Sequence, residues 1–344
     1  MIAILRATAR PPERSRIVSD FQPKDFISLE GAIDIHMHPH PCLFDRLTDD
    51  WGVAEGAMSE SMRGIVIKCH HESTVSRAQT VTRTLGGIEV YGGIVLNFYV
   101  GGLNAGAAEA ACKTGGKIVW MPTIDAENHA VAHGSRGRYD VQKGGLTGKK
   151  TSGAKPAGGK GGKAVSRTVV STGLGVVKGG YGGISPVNER GKLKPEALDV
   201  LSVVAQYDVA LASCHLHPKE IRTLFKGAKE MGVKKMLFTH PFFKVPGADV
   251  AFTKEMVRLG AMAEWGYCTV SPMWGYASID RMAAAIREVG ARNSILMSDL
   301  GQRHNPLPNE GLRVFCQCLY EKGIPEKDIR TMIVTNPRRI LGLK

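Results

Sequence analysis

The stretch AIDIHMHPHP, residues 32–41, sets three histidines at alternate positions directly after a short apolar run. Successive strand side chains point to opposite faces, so Asp34, His36, His38 and His40 would share one face. His36 and His38 can then reach one point from adjacent places at a strand end, which suits a metal ion. A loop rich in histidine and proline would read the same way locally. Other strand ends weigh on the choice. SCHLHP puts His215 just past an apolar run, FTHP puts His240 at the end of another, and SDLG does the same for Asp299. Imidazoles and a carboxylate suit Zn²⁺, and three or four of them beside one open position describe a hydrolytic centre.

What must position these side chains is an alternation of short β-branched runs with longer helical patterns, the rhythm of βαβ units and a parallel sheet. Strands are expected at 32–36, 64–68, 91–97, 117–122, 208–213, 234–239, 261–271 and 294–299. Helical patterns fill the intervals at 74–85, 104–115, 195–207, 218–232, 249–260, 278–290 and 309–323. Several close on a glycine just before the next strand. This predicts an α/β fold, a (β/α)8 TIM barrel, with residues 1–344 as one domain. No GxGxxG or GxxxxGK[ST] follows the first strand, which argues against an open doubly wound sheet. In a closed barrel all C-terminal strand ends open on one mouth, so His36, His38, His215, His240 and Asp299 can surround a single site. The connection from the fourth strand to the fifth is the long one. It carries a basic Gly/Lys-rich insertion, residues 134–168, and beyond it a stretch from Val169 that suggests a β-hairpin.

The formal charge of +13 is concentrated there: between Gly134 and Thr168 stand nine Lys or Arg against one Asp, leaving about +5 for the rest. A segment almost free of large apolar residues cannot offset its ordering entropy, so a flexible loop is expected. No aromatics are interleaved for base stacking, and nucleic acid is not expected as a partner. No apolar run approaches the ~20 residues of a membrane span. The seven cysteines are odd in number and scattered without a CxxC pair, as suits free thiols in a reducing cytoplasm. The opening MIAILRATARPPERSR reads as a ragged leader, since Pro11, Pro12 and Glu13 interrupt any amphipathic helix. A small-molecule substrate is the expected partner, and a homo-oligomer is left open.

The HxH pair after the first strand, followed by His215, His240 and Asp299 after the fifth, sixth and eighth, resembles the amidohydrolase superfamily of metal-dependent hydrolases. The resemblance runs over nearly the whole chain, down to TNPRRILGL. IVIKCHHESTVSRA, IVWMPTIDAENH, CHLHPKE and SDLGQRHNPLPNEGL are similar to a little-characterised group within it, known only as a domain of unknown function. It implies one or two divalent ions, zinc first with manganese or iron as alternatives, held by His36, His38, His215, His240 and Asp299. A divalent ion lowers the pKa of its water from about 15.7 towards ~7. Asp299 would accept that water's proton and pass it to the leaving group, while His240 would complete the metal shell or polarise the substrate oxygen.

One departure matters. Binuclear members usually bridge two ions with a carboxylated Lys or a Glu from the fourth strand, and here that strand ends VWMPT. Lys68, ending the second strand, could be carboxylated, contact an anionic substrate, or face solvent. His70 shares its face and is a candidate substrate ligand, with His71 behind the site or on the surface. Glu127 and His129 are open to a substrate role; Glu264 and Trp265 either line the pocket or, for Glu264, stand behind the ligands. His217 reads as a loop residue, while His133 and His304 take no assignment. The expected function is a hydrolase acting on an amide, lactone or ester of a small, anionic substrate, with Asp299, His240 and Lys68 as catalytic groups. The missing bridge leans towards a mononuclear alternative, decarboxylation of an aromatic or dienoic acid. A non-catalytic metal or nucleic-acid binding protein is the third reading.

Overall fold

The computed structural model describes residues 26–141, 168–171 and 183–344. Eleven strands are present among them: β1 (Ile33–Met37), β2 (Gly64–Ile67), β3 (Glu89–Tyr91), β4 (Gly93–Val95), β5 (Ile118–Trp120), β6 (Arg138–Val141), β7 (Thr168–Ser171), β8 (Ala210–Ala212), β9 (Met236–Thr239), β10 (Ala261–Gly266) and β11 (Ser294–Met297). Two parallel sheets result, one ordered β1-β2-β3 and one ordered β4-β5-β8-β9-β10-β11, beside an antiparallel pair β6-β7. The helices between them include α1 (Asp50–Ser59), α2 (Val75–Leu85), α3 (Ala105–Lys113), α4 (Glu127–His133), α5 (Pro195–Gln206) and α6 (Pro218–Glu230). The fold is α/β with parallel sheets.

The third expected strand, 91–97, is cut in two at Gly92. β3 pairs with β2 and β4 pairs with β5, so this broken strand links the two sheets. A Cβ on Gly92 would lie 2.6 Å from the Thr74 carbonyl, and one on Gly93 would lie 2.1 Å from the Ile118 oxygen. Into this close approach Thr74 inserts its hydroxyl, accepting from Gly93 N at 3.0 Å and donating to Ile67 O at 2.7 Å. Both glycines therefore form a tight corner that a side chain would not allow. On the far side, β1 meets the chain after β11: Asp299 N donates to His36 O at 2.8 Å and His38 N to Leu300 O at 2.7 Å. Gly93→Ala should lower the thermal midpoint by several degrees, since overpacking of this kind destabilises by about 1–3 kcal/mol. A melting curve that overlays the parent would show that the β4–β5 approach is looser than described.

Alternation along the strands sorts the core. Ile33, Ile35, Val66, Val95, Ile118, Ala210, Ala212, Leu237, Ile295 and Met297 pack into one cluster with Leu341 from the C-terminal helix. The opposite faces, with Ile65, Val119, Leu211, Phe238 and Leu296, pack against helices. In α6, Ile221, Leu224, Phe225 and Ala228 recur at helical spacing to fill that layer. His217 is not a loop residue but the N-cap of α6. Its ring accepts from Lys219 N at 3.2 Å, while Glu220 accepts from His217 N at 2.7 Å in return.

Two more expectations change. The seventh strand stops at Gly266 rather than running to 271, because its partner β11 ends at Met297; Cys268 N donates instead to Ser298 O at 3.1 Å. The strand at 168–171 pairs with Arg138–Val141, so the two ends of the basic insertion form a ribbon. Most of the Gly/Lys-rich segment itself, 142–167, and residues 172–182 lie outside the described residues. No described helix is long and apolar enough to cross a membrane.

Candidate metal centre

The C-terminal ends of the parallel strands deliver the chemistry. β1 carries His36 one residue before its end and is followed by His38, β2 by Lys68, β8 by Cys214 and His215, β9 by His240 and β11 by Asp299. All are buried, and all but Cys214 line one cavity of about 530 Å³. Cys214, His240 and Asp299 take left-handed backbone conformations, φ +50°, +31° and +52°, each just past a strand. Such a conformation is strained for a side-chain-bearing residue, by roughly 1–3 kcal/mol. It turns the chain sharply where the side chain must enter the mouth.

Asp299 Oδ1 lies 3.3 Å from His36 Nε2 and 3.2 Å from His38 Nε2. Behind His36, Glu264 of β10 places Oε1 at 3.1 Å from Nδ1. An ionised carboxylate only accepts, so His36 Nδ1 carries the hydrogen and, in the neutral ring, Nε2 presents a lone pair. Lys68 Nζ stands 3.0 Å from that nitrogen. Burial pushes His38 and His215 well below the usual imidazole range and His240 down to about 4, so these rings are neutral near pH 7. Burial opposes ionisation of Asp299, but the closeness of His36 and His38 holds its carboxyl well below the usual range. Its Oδ2 accepts from Cys268 Sγ at 3.0 Å, a thiol kept protonated by burial. Lone pairs of His36, His38 and Asp299 thus gather within 4.8 Å of one another. With a cation between them they are ligands. The donor set fits a divalent metal.

His215 is prepared in the same sense. His129 Nε2 faces the Arg138 carbonyl at 2.8 Å and must donate there; its Nδ1 therefore accepts from His215 Nδ1, 2.9 Å away. His215 is left with Nε2 as its lone pair. His240 sits with its ring 5.1 Å from that of His215.

Other expected residues sort out as follows. His70 stacks on His38 at 4.9 Å, bonds Thr123 through Nδ1 at 3.0 Å, and lines the cavity. His71 stands apart, 3.0 Å from Cys69 Sγ. Trp265 does not line the cavity; it packs on Phe242 in the core and bonds Ser294. Glu127 lines a separate groove, while His304 does line the cavity. Asp34, on the expected histidine face, is kept out of the mouth by an irregularity in β1 between Asp34 and Met37; its carboxylate accepts from Ser298 N at 3.2 Å. His40 is likewise turned away and accepts from Arg46 N at 2.9 Å. The fourth expected strand end brings no Lys or Glu to the site: β5 closes on Trp120, over which Lys68 Nζ sits 5.4 Å from the ring centroid. Sequence reading gave His129 no ligand-holding role and missed Arg46, Tyr139 and Trp274 of the cavity wall. Only the spacing of His129 and His133 on α4 hinted at any of them.

The family described as a family of unknown function (DUF6282) matches residues 31–264. No curated protein matches the chain. Among solved structures, an amidohydrolase from Pseudomonas aeruginosa is similar at 12% identity and a TM-score of 0.53, over 92% of this chain and 96% of that one. An organophosphorus hydrolase from Deinococcus radiodurans is similar at 12% identity and 0.52, over 92% and 94%. The phosphotriesterase homology protein from Escherichia coli is similar at 13% and 0.50, over 91% and 99%. The shared property is the fold of amidohydrolase and phosphotriesterase-like proteins.

Proposed function

The chain belongs to DUF6282, a family of unknown function, and we propose that this member is a metal-dependent hydrolase acting on an amide, lactone or ester of a small, anionic substrate. The observation that carries this reading is the convergence of His36 Nε2, His38 Nε2 and Asp299 Oδ1 beneath an open cavity. His36, His38, His215, His240 and Asp299 would hold one or two divalent ions, zinc in the first place and otherwise manganese or iron. When bound, such an ion supplies Lewis acidity and a water of pKa near ~7. Asp299 takes up a proton and returns it to the leaving group. Lys68 and His240 polarise the substrate oxygen, and His70 lies against the substrate. Glu264 keeps the His36 ring oriented.

We read the two sheets as the halves of one (β/α)8 barrel spanning the chain, with 134–168 inserted after β5. Supporting this are eight parallel strand places, counting β3 and β4 as one, and the parallel bridge Met37↔Leu300. Seven free cysteines, each without a disulfide, suit a reducing cytoplasm. One observation favours a second reading, decarboxylation of an aromatic or dienoic acid: with no bridging Lys or Glu from β5, a single ion is the simpler fit.

Elemental analysis of the purified chain is expected to find about one to two divalent ions per chain. Chelation should abolish turnover on a panel of lactones, amides, esters and aromatic acids, and re-added zinc or manganese should restore it. Release of CO₂ in place of a hydrolysis product would select the second reading. A chain that binds neither metal at micromolar concentration would overturn both.

A further inference from the structure

We infer that the cavity recognises a planar carboxylic acid, its carboxylate held by Arg46 and its flat body by an aromatic wall. This deepens the proposed function and rests on that reading of the site for its catalytic meaning.

Arg46 lies on the loop between β1 and α1 and lines the same cavity as His38 and Asp299, although it is only 6% exposed. Its Nη2 donates to Cys42 Sγ at 3.1 Å, and its carbon lies 5.4 Å from the Phe44 ring centroid. Contact with Cys69 first, and then the Arg46 charge, draw the Cys42 thiol below its ordinary range. Cys42 thus holds the guanidinium from one side. Arg46 Nε has no hydrogen-bond partner among the described residues. The nearby acid Asp45 is turned to Arg303, 4.0 Å away.

A second orphan belongs to the lining of the same cavity. Trp274 is buried, and its Nε1 also lacks a partner among the described residues. Guanidinium and indole N–H groups are donors only. A ligand that satisfies both must bring acceptor oxygens, and the charged donor asks for an anionic one. The Asp299 carboxylate lines the same cavity and disfavours the second negative charge of a phosphate dianion, so a monoanion is the better match. Between the two orphans the wall is aromatic: Phe44 lies 5.6 Å from Tyr139, Tyr139 5.6 Å from Trp274, and Trp274 5.3 Å from Phe243. Such faces take a flat, unsaturated body in offset or edge contact. Acid group and ring would thus be fixed at the wall, presenting the rest of the molecule to the strand-end cluster.

Fluorescence titration of the full chain, as purified and after metal stripping, would use benzoate, its neutral amide benzamide, and phenyl phosphate. Benzoate should bind saturably and at least 10-fold tighter than benzamide or phenyl phosphate. Arg46→Met should weaken benzoate by about 10–100-fold, the loss of a charge-assisted hydrogen bond, with metal content unchanged. Trp274→Phe, a milder change that keeps the aromatic face, should weaken it several-fold and serves if R46M does not fold. No saturable benzoate binding, equal binding of benzamide, tighter binding of phenyl phosphate, or wild-type affinity in the folded R46M protein would each overturn the inference. Arg46-dependent benzoate binding in a chain that takes up no metal would leave it standing and sink only the hydrolase reading.

Discussion

Replacing Asp299 by Asn is expected to lower turnover by about 10²–10⁴-fold, the usual contribution of a general acid–base group, with bound metal largely retained. The geometry makes the two effects separable. Oδ1 joins the triangle with His36 and His38, while Oδ2 is already engaged by the Cys268 thiol. An asparagine can keep its carbonyl oxygen towards the histidines and turn its amide towards sulfur. It would preserve shape and a ligand atom but could not carry the proton. Metal content by elemental analysis, measured alongside kcat on an identified substrate, decides. Near-normal turnover would remove Asp299 from the chemistry whatever the metal content. Complete loss of metal would make the residue structural and leave His240 as the candidate base.

Glu264→Gln should weaken metal affinity by about 10–100-fold, as loss of a group that orients a ligand histidine typically does. Glu264 is fully buried, holds His36 Nδ1 at 3.1 Å, and its second oxygen has no partner among the described residues. Its burial is tolerable when the positive charge of a bound ion lies one imidazole away. A neutral amide still accepts from His36 but no longer strengthens the ring as a donor to metal. A merely structural role would lower the thermal midpoint of the metal-free chain. The positioning role leaves that midpoint level, because glutamine keeps the shape and the hydrogen bond to His36. Competition with a chelator, read beside melting of the stripped protein, separates the two. Unchanged affinity would mean that His36 is oriented by something else.

Much of this site is legible in the sequence because strand ends and periodicity are local properties. His36 and His38 declare themselves by alternation, and His215, His240 and Asp299 by following apolar runs. Their gathering at one cavity is what parallel strands with helical crossovers impose. Periodicity reports a face and not a neighbour. It could not tell that Glu264 meets His36 across 228 residues, nor that His129 meets His215. Arg46 was invisible for another reason: it sits on an irregular loop, where no period exists to break. Asp34 misled because a single irregularity in β1 moves it off the histidine face. Gly92 split a strand because hard-sphere contact with Thr74, far along the chain, outweighs the apolar pattern.

The left-handed turns at Cys214, His240 and Asp299 set stability and purpose against each other. Glycine at His240 or Asp299 would relax the backbone and would also take a side chain out of the cavity wall. On the proposed function, backbone ease and site chemistry therefore pull in opposite directions at these two strand ends.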